Sequence, residues 1–320
     1  MSSLLERSRL ERPSDLKASP VRHPWRWVTV ALIGVLVAMM IHSFVTNPKW
    51  EWSYVFSVMN YRPILQGLLV GTLLGTLIAM VVGVSLGVLL AIMRLSSNPV
   101  LSAVSAVYTW FFRSVPRYVL LTILGVGVIY LYPHLDLGLP FGQELSRALG
   151  LDENTLSPWM IDTRKLSQGI VIGAIGLGLS EAAYMAEIAR AGILSVDQGQ
   201  REAASALGMS SSRTMTRIVL PQAMRVIVPP TGNETIAMVK DTSLLIAVPV
   251  GMELFNQATI VANRTYKIMP AYVAATLWYI IICSVLMVFQ TLLERRFGRG
   301  FGTGAVNAKA QRLLNKVGEH

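Results

Sequence analysis

The residues of this chain that could do chemistry are polar groups set inside apolar sequence. Glu181, Tyr184, Glu187 and Arg190 follow a Gly-rich apolar run, and Asn233, Glu234, Lys240, Asp241 and Thr242 interrupt another. Ionisable groups at membrane depth are costly, so they face a cavity, a partner or the interface. Neither set pairs a nucleophile with a base, so no catalytic residue is expected. The histidines (His23, His42, His134, His320) show no metal-ligand spacing, and the single Cys283 permits no internal disulfide. What these residues can do is bind. On a helix, Asn233, Ala237 and Lys240 share one stripe, and Glu234, Met238 and Asp241 share the next. Such a lining offers both signs of charge, as an amino acid with its carboxylate and ammonium requires. A second constellation is Glu202-Ala203-Ala204, three residues, Gly208, nine residues, then Ile218-Val219-Leu220-Pro221. This polar, Ala-rich helical turn is flanked by Arg201, Arg213 and Arg217, which places it outside hydrocarbon on the cytosolic side.

The elements that must position these groups are membrane helices. Of the 320 residues 53% are hydrophobic and 14% charged, too apolar for an ordinary soluble domain. The formal charge of +10 sits mainly in the two tails and short loops. That is the positive-inside pattern and not a nucleic-acid surface. Six spans are expected: 27–45, 64–93, 115–132, 166–193, a proline-rich region 218–248 and 271–293. Both termini are then cytosolic. The first apolar run follows a basic tail and lacks a small-residue cleavage site, so no signal peptide is expected. A helix over 100–132 would be about 50 Å long, and Arg113-Ser114-Val115-Pro116-Arg117 predicts its break. Gly67, Gly71 and Gly75, spaced by four, read as a packing ridge, with Gly83 and Gly87 beyond them. The outer loop 133–165 carries five acids against three bases and predicts a short helix at 142–149. Pro221, Pro229 and Pro230 predict a broken or tilted fifth helix, and 251–270 reads as an outer segment.

The Glu202–Pro221 pattern resembles the EAA signature of membrane subunits in ATP-binding-cassette importers. The resemblance extends over about 62–296. Phe112-Arg113-Ser114-Val115-Pro116 is similar to the Phe-Arg-Gly-Thr-Pro element of the polar amino-acid uptake branch, with Ser114 and Val115 in place of Gly-Thr. Ala183-Tyr184-Met185-Ala186-Glu187-Ile188-Ala189-Arg190-Ala191-Gly192-Ile193 resembles that branch's helix before the coupling segment. Pro229-Pro230-Thr231-Gly232-Asn233-Glu234 and Lys240-Asp241-Thr242-Ser243-Leu244 resemble its fifth-helix motifs. Glu181 departs from the pattern, in which a smaller or neutral residue is commoner.

The resemblance implies an all-α polytopic membrane protein of about six transmembrane helices, a five-helix MetI-like permease core plus one N-terminal helix. The implied organisation is a cytosolic basic tail (1–26), the extra helix and its outer loop (27–61), the permease domain (62–296, with the coupling segment at 195–217) and a second basic tail (297–320). It further implies a multi-pass protein of the bacterial cell membrane that moves a polar or charged amino acid by alternating access. The partners implied are an ATPase dimer, a second permease subunit (identical or homologous), an extracytoplasmic substrate-binding protein and the bilayer. Glu202, Ala203, Ala204 and Gly208 would contact the ATPase. No GxxxxGK[ST] loop occurs, so ATP and Mg would be used by that partner and no cofactor is expected here. Glu181, Tyr184, Asn233, Glu234 and Arg113 are candidates for the substrate path, with Lys240, Asp241 and Thr242 near its outer end. Glu187 and Arg190 fit a plain i,i+3 ion pair better. Lys240 and Asp241 are open between path and structural pairing with a partner subunit, and contact with lipid headgroups suits Arg117 better than gating. A carrier driven by an ion gradient is the alternative; it too uses broken helices and buried carboxylates, but it leaves the EAA pattern unexplained.

Overall fold

The computed structural model describes residues 24–131, 134–136, 138–139, 141–152, 155–156, 159–162, 170–248 and 251–297. Most of the two basic tails lies outside them. The chain divides after Glu51 into two bodies. The first holds α1 (Pro24–Thr46) and a 3-10 turn, Pro48–Trp50. The Asn47 side chain caps that turn by accepting from Lys49 N–H, and Trp50 stacks on Phe44 with ring centroids 4.2 Å apart.

In the second body, α2 (Trp52–Met59) precedes α3, a helix running over Arg62–Arg94 with a π segment at Gly67–Leu74. Then come α4 (Pro99–Ser114) and α5 (Arg117–Thr122), continued by a π segment Ile123–Val128. The break falls at Val115–Pro116 as expected, because Pro116 has no N–H to extend α4. β1 (His134–Asp136), α6 (Gly142–Ala148) and β2 (Met160–Asp162) follow. The helix at 142–149 is borne out. The two strands pair antiparallel, with His134 opposite Asp162, a small ribbon that an all-helical expectation leaves out. After α7 (Ile170–Leu194) come α8 (Gln198–Ala206), α9 (Ser211–Thr214) with a π segment Met215–Val219, and α10 (Leu220–Asp241) with a 3-10 extension Thr242–Ala247. The chain closes with α11 (Leu254–Thr265) and α12 (Ile268–Phe297).

Among the described residues four helices, Trp25–Thr46, Arg62–Arg94, Ile170–Leu194 and Ile268–Phe297, are long and apolar enough to cross a bilayer. Reaching the expected six requires adding the shorter apolar helix Arg117–Gly127 and the more polar α10.

One expectation needs correction, the break offered as one alternative for the fifth helix. The fifth helix is not broken at its prolines: α10 runs through Pro229 and Pro230 and changes to 3-10 only at Thr242. Where the prolines lie, Gln290 Nε2 of the neighbouring α12 donates to the Pro229 carbonyl at 2.7 Å and fastens α12 to α10. The segment 251–270, for which no element was expected, contains the three-turn helix α11. There Leu254, Ala258 and Ala262 form one buried cluster with Val55 and Val58 of α2, Ile64 of α3 and Ala271 and Ala275 of α12.

The glycine ridge does what its spacing predicts. A Cβ on Gly83 would lie 2.7 Å from Glu181 Cγ, and one on Gly87 would lie 2.5 Å from Met185 Cβ. These glycines let α3 and α7 touch almost backbone to backbone. From α7 the reverse holds: Gly178 faces Val82 at 2.8 Å. The α3–α7 pair is thus a rigid platform, and it carries Glu181 at its centre.

Candidate functional site: a self-capped polar helix and a buried charge cluster

The polar segment after α7 folds as the self-capped helix α8. Asp197 accepts from Gly199 N–H at 2.7 Å at the start. At the end Gly208 takes φ +72°, and its N–H donates to the Ser205 carbonyl. Arg201 Nη2 donates to the Ile193 carbonyl at 2.6 Å, which ties α8 to the last turn of α7. Glu202 is exposed and accepts from Gln198 Nε2 at 2.9 Å; Ala203 is exposed beside it. Ala204 corrects the expectation that it contacts a partner: it is 1% exposed and faces the chain's own interior, as α8 packs on α9 and the following π segment. Leu207, missed by the sequence reading, is 82% exposed. A large apolar residue at the end of a polar helix was the signal available. Between Leu194, Val196, Arg201, Glu202 and Ser205 lies an open depression of about 530 Å³.

The second assembly forms where α5, α7 and α10 meet. Arg117, at the first position of α5, donates Nη2 to Glu181 Oε2 at 2.8 Å and Nη1 to Asp241 Oδ2. It therefore bridges carboxylates 64 and 124 residues away in sequence. This corrects the headgroup role expected of Arg117, whose side chain is only 14% exposed. A guanidinium fork suits such bridging, since its donors lie in one plane. Tyr184, one turn beyond Glu181, presents its ring to Arg117 at 4.8 Å and to Arg113 at 5.6 Å. Such geometry adds a cation–π attraction.

Of the path candidates, the structure gathers Glu181, Tyr184, Asp241 and Arg113 around Arg117. Asn233 and Lys240 are exposed and Glu234 is half-buried along α10. Thr242 is fully buried and donates to the Val239 carbonyl at 2.8 Å, a structural bond within its own turn. Glu187 and Arg190 pair with each other at 2.9 Å, as their spacing suggests. Asp241 finds its cation within the chain, in Arg117, so no partner subunit is needed to satisfy it.

Residues 83–299 match the family model described as binding-protein-dependent transport system inner membrane component. The chain belongs to that family. The permease is similar to the arginine transport system permease protein ArgU of Corynebacterium glutamicum, 42% identical over 293 residues covering 90% of this chain and 85% of ArgU. It is 33% identical to the probable amino-acid permease protein YxeN of Bacillus subtilis, over 67% of this chain and 82% of that one. A solved structure described as an amino acid ABC transporter with histidines superposes at a TM-score of 0.57 with 29% identity, covering 73% of the permease and 94% of its counterpart. The relatives are importer permeases for amino acids. The ATP-binding-cassette permease thus stands over the ion-gradient carrier, and the MetI-like, mainly helical fold expected from the motifs is the one observed.

Proposed function

We propose that this permease passes a polar amino acid, arginine or one of similar shape, through a path walled by α5, α7 and α10, driven by ATP hydrolysis in a separate chain. ArgU supplies the substrate suggestion; the mixed charges of Glu181, Asp241, Arg117 and Arg113 agree with it. The observation that carries the coupling role is the surface of α8. A helix capped at both ends and tied to α7 turns Glu202, Ala203 and Leu207 outward, with Gly208 setting the exit of the chain. A rigid helix joined directly to a membrane helix passes a push from a docked ATPase into α7 and so to Glu181.

The remaining partners follow from the same reading. An extracytoplasmic binding protein delivers the substrate on the outer face, and a second permease subunit, identical or homologous, completes the path. Both termini lie in the cytosol with the basic tails. Asn233 and Glu234 extend the polar lining along α10.

The test is uptake of labelled arginine into vesicles holding the permease with its ATPase and binding protein. Internal ATP is expected to drive uptake, and Glu202→Arg to lower it at least about 10-fold by placing a repelling bulk on the docking face, equivalent to about 1.4 kcal/mol of lost contact. Loss of ATPase co-purification should accompany it. Undiminished uptake in Glu202→Arg would remove α8 from the coupling role.

A further inference from the structure

The charges around Arg117 do not balance. Glu181 and Asp241 bring two negative charges to one guanidinium. Glu181 is fully buried, and while Oε2 takes Arg117, Oε1 is buried with no hydrogen-bond partner among the described residues. Asp241 is 31% exposed, so the trio opens on one side. Neighbouring groups do not supply the missing charge. Among the described residues no second cation forms an ion pair with either carboxylate. Lys240, next to Asp241 in the chain, is exposed. The bonded trio therefore sums to minus one and keeps a vacant acceptor. A buried carboxylate oxygen without a donor is unfavourable, and a ligand that brings one donor-bearing positive charge removes that penalty.

We propose that Arg117 is a resident cation that sets this cluster's charge at minus one, so that it takes an amino acid with one positive charge on its side chain. The inference rests on the permease reading above and names how that path selects. Glu181 Oε1 accepts from the incoming cation beside Arg117. Arg117 acts as a specificity-determining residue without being displaced: it neutralises one of the two carboxylates and leaves the other's charge for the substrate. Selection then follows the net charge of the cluster and not the identity of any one residue. With both carboxylates uncompensated, the site would be too strongly charged to stay folded dry; with both compensated, a neutral side chain would fit as well as a cationic one.

A binding protein would impose its own choice, so the test uses the membrane complex of this chain with its ATPase and without a binding protein. Equilibrium binding of labelled arginine is compared with that of citrulline, which has nearly the same shape but no charge. The wild-type complex is expected to favour arginine by at least about 10-fold, or about 1.4 kcal/mol. Glu181→Gln and Asp241→Asn each bring the cluster to zero, and each is expected to lower the ratio to about one while citrulline binding persists. The double variant Arg117→Gln/Glu181→Gln returns the charge to minus one and should recover the preference for arginine. A purely structural Arg117 would make the double variant worse than Glu181→Gln alone. A wild-type ratio near one, absence of binding to the wild-type complex, or a double variant that stays unselective overturns the proposal. Should a single variant fail to assemble, the wild-type ratio still decides. Failure of the permease reading would show differently, as absence of ATP-driven uptake of any amino acid even with the binding protein present.

Discussion

Glu253 and Glu181 are both fully buried carboxylates at helix contacts, yet their surroundings differ in kind. Glu253 caps the start of α11. Its Oε2 accepts from the backbone N–H groups of Phe255 and Asn256 at 2.8 and 3.1 Å. Its Oε1 accepts from Thr72 Oγ1 at 3.1 Å and Tyr279 Oη at 2.5 Å. Four donors from three elements converge on it, so the group fastens α11 to α3 and α12. Glu181 has one oxygen bound and one vacant. A carboxylate satisfied on every side holds structure, and a half-satisfied one is open to a ligand. Burial alone does not separate the two roles; the count of donors does.

The largest effect is expected where the Glu253 anchor meets the glycine ridge. A Cβ on Gly71 would lie 2.1 Å from the Met252 carbonyl oxygen and 2.3 Å from Glu253 Cα. Both are backbone atoms, so no rotamer change relieves the clash, and α3 and α11 must part. Gly71→Ala is expected to lose about 3 kcal/mol or more in thermal unfolding of the detergent-solubilised protein. Gly75→Ala, on the same stripe, meets Ile170 at 3.5 Å and Thr242 Cγ2 at 3.9 Å, ordinary contacts, and should stay within about 1 kcal/mol of wild type. Equal losses at the two positions would mean that the ridge is uniform and Glu253 no special anchor.

The same contrast shows what the sequence could and could not reveal. The glycine ridge, the Val115–Pro116 break and the polar helix α8 depend on spacing within one segment, and each was legible. Arg117 was not, because helical spacing offers partners only three or four residues away, whereas its carboxylates lie on two other helices. Glu253 was passed over for a related reason. It sits in an outer stretch that reads as a connection, and only the fold shows that Thr72 and Tyr279 converge on it. The proline pair in α10 misled because the helix is carried through it by packing on α7 and α12, which local sequence does not show. Ala204 was assigned to the outer face with Ala203, although consecutive positions on a helix point about 100° apart.

A matched pair of substitutions breaks the comparison directly. In Glu253→Gln, one half of the amide must face donors. Turned toward Phe255 and Asn256, the NH2 group orphans two backbone N–H groups. Turned toward Thr72 and Tyr279, it forces both hydroxyls to become acceptors and loses two charge-assisted bonds. Either arrangement should destabilise by about 2 kcal/mol. Glu181→Gln leaves Arg117 its bond to Asp241 and removes a carboxylate with an unpaired oxygen, so its change should stay within about 0.5 kcal/mol. Thermal unfolding of the two variants side by side reads the difference. If Glu181→Gln unfolds as early as Glu253→Gln, the vacant oxygen is structural and the two carboxylates are alike.

Tyr279→Phe gives the smallest effect and divides the Glu253 anchor into its parts. The Phe ring keeps the packing of α12 against the cluster, and Trp278 Nε1 still donates to the Met59 carbonyl at 3.1 Å. Oε1 loses one of two donors but keeps Thr72, so no buried acceptor is orphaned, and the expected loss is about 1 kcal/mol. The caps at Phe255 and Asn256 belong to Oε2 and should persist. Hydrogen exchange at those two amides is therefore expected to rise no more than about 5-fold, while Glu253→Gln raises it with the full loss of the anchor. Exchange in Tyr279→Phe equal to that in Glu253→Gln would place the whole anchor on Oε1, and the donor count would then overstate how Glu253 differs from Glu181.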